Sequence, residues 1–231
     1  MKNIHQQIID SVDRSIEILI ENFEKNPCRF FTENDILMEI SKVLDRNLPL
    51  TCVADCDGNM VDLVHTEYPT PFRCDMGKGR FLLKSDEDLT PKGKWYQRGH
   101  YDLLVLNPDF IAANSFTDIR GQDYVALCKN VLDGLTDASP LALYAVELNF
   151  LRRRIKTARG LRNAPRFVHQ DHKKLLASRS FPGFVSNVRS LVFFAPGSLD
   201  CNPVSKDEIR GTMASCGTAE GEVIVVFPQI D

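Results

Sequence analysis

The 231-residue sequence predicts an α/β protein: a mixed sheet flanked by helices, with the core order helix, three strands, helix, strand. Three observations predict it. Apolar residues recur at helical spacing over residues 4–24 and again over 36–44. Short apolar, β-branched runs follow at 60–68, 101–106 and 143–150. A helical stretch near 165–179 then separates the third run from a fourth at 188–194.

In order, residues 4–24 set Ile8, Ile9, Val12, Ile16, Leu19, Ile20 and Phe23 on one helical face, and Asn26-Pro27 ends that helix. Thr32 stands at an N-cap position, followed by Glu33, Asn34 and Asp35 in a first turn where carboxylates suit the helix dipole. Ile36, Leu37, Ile40, Val43 and Leu44 form the stripe of this second helix. Met60–Tyr68 reads as a strand ended by Pro69. Residues 72–98, which hold Trp95, are too long for a hairpin turn; a flap, a small excursion of strands and a mobile loop all fit them. A strand at Tyr101–Leu106 stops at Asn107-Pro108, and residues 120–135 carry helical spacing as an insertion. Leu143–Phe150 is the third core strand, and residues 165–179 form the crossover helix to Val188–Phe194. That crossover should be right-handed if its two strands are parallel. Ser205–Cys216 reads as a short helix and Val223–Phe227 as the last strand.

A single domain is expected, with an N-terminal helix at about 4–26, a core at about 30–197 and a C-terminal helix and strand at about 198–231. The chain is 43% apolar and 26% charged, as ordinary globular proteins are. Asp10, Asp13, Arg14 and Glu17 interrupt the N-terminal helix, and neither a signal-peptide pattern nor a twenty-residue apolar span occurs. A cytoplasmic location and no membrane partner are therefore expected. Seven scattered cysteines fit reduced thiols better than a disulfide framework. A zinc site would require Cys52 and Cys56 to meet His169 and His172 from far along the chain, and is not expected.

The formal net charge of −3 makes no whole-chain case for nucleic acid, but the charge is uneven. Arg152, Arg153, Arg154, Lys156, Arg159, Arg162, Arg166, Lys173, Lys174 and Arg179 fall in one tract whose only acid is Asp171. Such a tract, beginning directly after the third core strand, is a candidate phosphate-binding surface; a solvated face is the plainer alternative.

Two acids stand in the apolar strands: Asp102 in the second and Glu147 in the third. Burying either costs several kcal/mol unless it is paired or binds a cation. Glu147 and Asn149 are two apart and share a strand face. If Asp102 lies on a neighbouring strand in suitable register, three oxygen-bearing side chains converge as a hard divalent cation requires.

The stretches Phe31-Thr32-Glu33-Asn34-Asp35-Ile36, His65-Thr66-Glu67-Tyr68-Pro69, Gly99-His100-Tyr101-Asp102-Leu103-Leu104-Val105-Leu106 and Ala145-Val146-Glu147-Leu148-Asn149 stand in a telling order. Together they resemble the PD-(D/E)XK nuclease superfamily, the restriction-endonuclease-like fold with core order αβββαβ. The similarity covers about residues 30–197 and rests on order, spacing and strand context, since each motif is short. It implies that Asp102 and Glu147 are metal-binding carboxylates, with the Leu148 carbonyl as a further ligand. It also implies Glu33 as the acid of the first core helix, with Glu39 as the alternative.

In that family the position of Asn149 is usually lysine, and an amide can hydrogen-bond there but carries no charge. The resemblance offers a replacement, because relatives carry the positive group on the following helix, where Lys173 and Lys174 stand. The implied chemistry is hydrolysis of nucleic-acid phosphodiesters, DNA in the first place. Mg²⁺ or Mn²⁺ would supply Lewis acidity, and Arg152, Arg153, Arg154, Lys156, Arg159 and Arg162 would hold the backbone. A homodimer is compatible with cutting two strands. The alternative is a catalytically inactive nucleic-acid-binding or assembly module on the same fold. His100, Arg98 and Glu67 are secondary candidates for substrate or metal contact, each better explained by ordinary structural roles, and the aromatic pair Trp95 and Tyr96 fits base stacking and packing of the long excursion equally.

Overall fold

A computed structural model of the chain describes residues 3–75, 80–83, 96–115, 139–151, 158–180, 184–198, 205–215, 217 and 219–229. Among these, α1 (Ile4–Lys25) and α2 (Glu33–Asn47) precede β1 (Cys52–Ala54), β2 (Met60–Asp62), β3 (Val64–Asp75), β4 (Arg80–Leu83) and β5 (Tyr96–Leu106). Then come α3 (Pro108–Ala113), β6 (Ala142–Leu151), α4 (Ala158–Ser180), β7 (Val185–Phe194), α5 (Lys206–Ala214) and β8 (Val223–Val226). This is a mixed α/β fold. Six strands form one sheet in the order β4-β3-β5-β6-β7-β8, and β1 pairs with β2 in a separate hairpin. β3 runs antiparallel to β4 and β5, whereas β7 and β8 are parallel.

The predicted helical stripes are the ones that bury. On α1 these are Ile8, Val12, Ile16, Leu19 and Phe23, and on α2 Ile36, Ile40, Val43 and Leu44. Thr32 caps α2 through a reciprocal box: its hydroxyl accepts the Asp35 N–H at 3.2 Å, and Asp35 Oδ2 accepts the Phe31 and Thr32 N–H groups, each at 2.8 Å. Those backbone donors, Phe31 first and Thr32 second, hold the Asp35 carboxyl below its ordinary range.

Three elements differ in their bounds from expectation, two of them at prolines. The strand expected at 60–68 is split between β2 and β3, and β3 runs on through Pro69 to Asp75. Pro69 lies opposite His100, β4 joins β3 only from Phe72 onward, and the register shifts between Pro69 and Arg73. A residue without an N–H is tolerated beside such an irregularity. β5 correspondingly begins at Tyr96, paired with Asp75, rather than at Tyr101. Helix α4 starts at Ala158, ahead of the start expected near residue 165, and passes through Pro165. A helix of 23 residues survives the loss of one internal hydrogen bond. The helix expected at 120–135 and Trp95 lie outside the described residues.

The chain divides into two compact units. The first comprises Met1–Ile9, Pro49–Ala145 and Leu176–Val188. At its centre Tyr101, Leu103, Leu104, Val105 and Leu106 of β5 are buried, and the Tyr101 hydroxyl donates to Ser178 Oγ. Buried Asn107 caps α3, accepting the Asp109 N–H at 3.0 Å and donating to the Pro140 carbonyl at 2.8 Å. The second unit comprises Asp10–Leu48, Val146–Leu175 and Arg189–Asp231. Its core gathers the Phe23 ring against Phe30, Phe150 and Phe193, at centroid distances of 5.3, 6.3 and 4.9 Å. A further apolar cluster joins Val168 of α4, Val192 and Phe194 of β7, Ile209 and Met213 of α5, Val223 of β8, and Phe227.

Candidate functional site

Strand β6 is buried along Ala142–Phe150, the pattern of a strand covered on both faces. In such surroundings Glu147, 2% exposed, and Asn149, 9% exposed, require polar partners. Helix α4 supplies them. Lys174 reaches Glu147 with Nζ 2.6 Å from Oε1, and both side chains are nearly removed from solvent. Lys173, the other candidate, is exposed. The sequence thus narrowed the cation to two adjacent lysines, and helix rotation selects the second.

Asp171, three residues before Lys174, lies on the same side of α4. Burial pushes its carboxyl above the ordinary carboxylate range, partly opposed by the Lys174 charge and by the Asn149 side chain, both of which favour ionisation. Glu147 and Asn149 on β6, with Lys174 and Asp171 on α4, therefore form one strand–helix polar layer. Because burial dominates, the ionised Asp171 destabilises the fold above its unfolded-state pKa, and the penalty disappears as pH falls below that value. Asp171→Asn is expected to raise the melting temperature at pH 7, with the gain shrinking towards zero near pH 3; thermal unfolding at several pH values checks this.

Glu33 also belongs to this unit. Its Oε2 accepts the Phe150 N–H at 3.1 Å, so the first-turn acid of α2 reaches the end of β6, next to Asn149. Glu39 turns away: it accepts from Asn22 Nδ2 at 3.2 Å and lies 4.0 Å from Arg29. Between the two acids of α2, Glu33 is the one brought towards Glu147 and Asn149.

Asp102 is half-buried on β5 in the first unit. The register pairs Thr66 with Leu103 and Tyr68 with Tyr101, which sets Glu67 opposite Asp102. Glu67 is exposed and holds a left-handed backbone, φ 54°, rare for a residue other than glycine. His65 Nε2 donates to the Asp62 carbonyl, 2.8 Å away, and burial lowers its pKa. Exposed His100 lies opposite Pro69. Arg98 and Tyr96 are placed on β5 by backbone register alone, opposite Arg73 and Asp75.

His172 has a role that no sequence signal suggested. Its Nδ1 lies 2.9 Å from Ser190 Oγ on β7, and its Nε2 lies 3.4 Å from Glu222 Oε2 just before β8. All three are buried, at 0%, 0% and 2% exposure. Nδ1 of His172 is thus engaged at Ser190, and Cys52 and Cys56 form no disulfide among the described residues. Only the spacing of Val168, His172 and Leu175 along one helical stripe hinted at burial.

Arg152, Arg153, Arg154 and Lys156 lie outside the described residues, while Arg159 and Arg162 fall on α4. Among the described residues no group of three or more His, Cys, Asp or Glu side chains is arranged to hold a metal ion. Nor, among them, is any helix long and apolar enough to cross a membrane. Compared with protein-family models, curated proteins and solved structures, the chain matches none.

Proposed function

We propose that this chain is a metal-dependent nuclease-like protein of restriction-endonuclease-like architecture that hydrolyses phosphodiester bonds in nucleic acid, DNA first among the substrates. One observation carries the reading: the ammonium of Lys174, on the helix following β6, lies 2.6 Å from the Glu147 carboxylate. A cation is thereby restored beside the strand position where Asn149 replaces lysine. The consecutive order β3-β5-β6-β7 in the sheet and the reach of Glu33 to the Phe150 N–H give further support.

The donor chemistry suits Mg²⁺ or Mn²⁺, since Glu147, Glu33 and the Leu148 carbonyl offer hard oxygens. In unit two Glu147 and Glu33 would hold the ion, and an ion at Glu147 would share that carboxylate with Lys174. A bound ion would supply Lewis acidity towards a phosphoryl oxygen and a more acidic water. Lys174 then donates to charge developing on phosphate, Asn149 orients through its amide, and the basic residues from Arg152 to Arg162 hold the backbone without reading bases.

The test is cleavage of plasmid and single-stranded DNA, and of RNA, with Mg²⁺ or Mn²⁺. Metal-dependent cutting is expected, reduced on the order of a hundredfold or more in Glu147→Ala. Binding without cutting, unaffected by metal, would favour the inactive binding module that Asn149 also suits.

A further inference from the structure

Ser190, His172 and Glu222 form a buried hydroxyl–imidazole–carboxylate relay. Nδ1 and the Ser190 hydroxyl share a hydrogen bond at 2.9 Å, whereas Nε2 meets Glu222 Oε2 at 3.4 Å as an ion-pair contact outside hydrogen-bond geometry. A substrate cannot reach Ser190, which is 0% exposed, so the relay holds rather than reacts. What it holds is α4. Val168, His172 and Leu175 recur at i, i+4 and i+7 and are fully buried, so His172 is the polar member of an otherwise apolar stripe. Apolar contacts resist sliding weakly because they are non-directional, whereas one polar residue in such a stripe sets register. A slip of one residue moves a helix by about 1.5 Å and turns it by about 100°, enough to carry Lys174 off Glu147.

Glu222 is itself well anchored. Its Oε2 accepts the Ala219 N–H at 3.0 Å, and its carbonyl accepts the Ser190 N–H at 2.8 Å. The β7–β8 pairing continues from there, Ser190 with Val223 through Phe193 with Val226. His172 and Lys174 are two residues apart and project from opposite sides of the helix. One side of α4 is thus pinned to the β7–β8 edge while the other presents Lys174 to β6.

We propose that Glu222 and His172 are positioning residues: the segment leading into β8 grips α4 through the imidazole and thereby fixes Lys174 on Glu147. This brings residues beyond the resembling core, 30–197, into the working parts of the site. The proposal rests on the reading of Lys174 as the site's cation, but its test needs no substrate.

The measurement is side-chain ammonium NMR on the full chain, with the Lys174 signal assigned by its loss in Lys174→Met. A buried, ion-paired ammonium exchanges protons slowly and gives a resolvable signal. Glu222→Gln keeps the shape and removes the anion, and Ser190→Ala removes a single hydroxyl. Each is expected to speed Lys174 exchange about tenfold, the size of coupling typical of contacting residues. Val226→Ala, which trims buried β8 packing without touching the relay, is expected to leave exchange within about twofold. Unchanged exchange in both relay variants overturns the proposal. Equal acceleration in Val226→Ala overturns it as well, since the effect is then general loosening. A wild-type protein that shows relay-dependent exchange and cuts no nucleic acid refutes the nuclease reading and leaves the positioning intact.

Discussion

Lys174→Met is expected to lower the unfolding free energy by about 3–5 kcal/mol, because it strands the Glu147 carboxylate without its cation. Glu147 is 2% exposed on a strand buried on both faces, so water cannot replace the lost ammonium without opening the layer between β6 and α4. For a chain of this length the melting temperature should fall by on the order of 10 °C. The double variant Glu147→Gln, Lys174→Met removes both charges and should recover most of that loss, since a buried pair contributes far less than the penalty of breaking it on one side. Denaturant unfolding of the two single variants and the double closes the cycle. Nearly additive losses would mean that the two side chains are not coupled. Under the proposed function, cleavage should be lost in the double variant although stability returns.

Phe23→Ala should cost about 3–5 kcal/mol, the range for emptying a large aromatic from a core. Phe23 is fully buried, and its ring meets Phe30, Phe150 and Phe193, which brings α1, the turn after it, β6 and β7 to one point. Phe23→Leu retains much of the volume and should cost less than about 1.5 kcal/mol. The effect should also reach the candidate site, because Phe150 both packs on Phe23 and donates its N–H to Glu33. Amide hydrogen exchange at Phe150 should therefore quicken in Phe23→Ala, to a degree that its global destabilisation alone does not predict. Exchange that follows the global loss would detach Glu33 from the aromatic cluster.

Local patterns determined much of this protein. Thr32 with Asp35 specified the start of α2, because capping depends on residues three apart. The stripes of α1 and α2 and the strands around Asp102 and Glu147 followed from periodicities of 3.6 and 2, which burial must respect. The need of Glu147 for a cation was also legible, since a lone acid in an apolar strand has few alternatives. Tertiary structure decided the rest. Lys174 rather than Lys173 meets Glu147, and Glu33 rather than Glu39 reaches β6, because neighbouring helical positions differ by about 100° in direction and only packing sets the rotation. β3 continues past Pro69, where its register with β5 shifts and before its pairing with β4 starts at Phe72. Ser190 and Glu222 were silent in the sequence for the same reason. Neither belongs to a local pattern, and they acquire a role only where β7 and β8 bring them to the ring of His172.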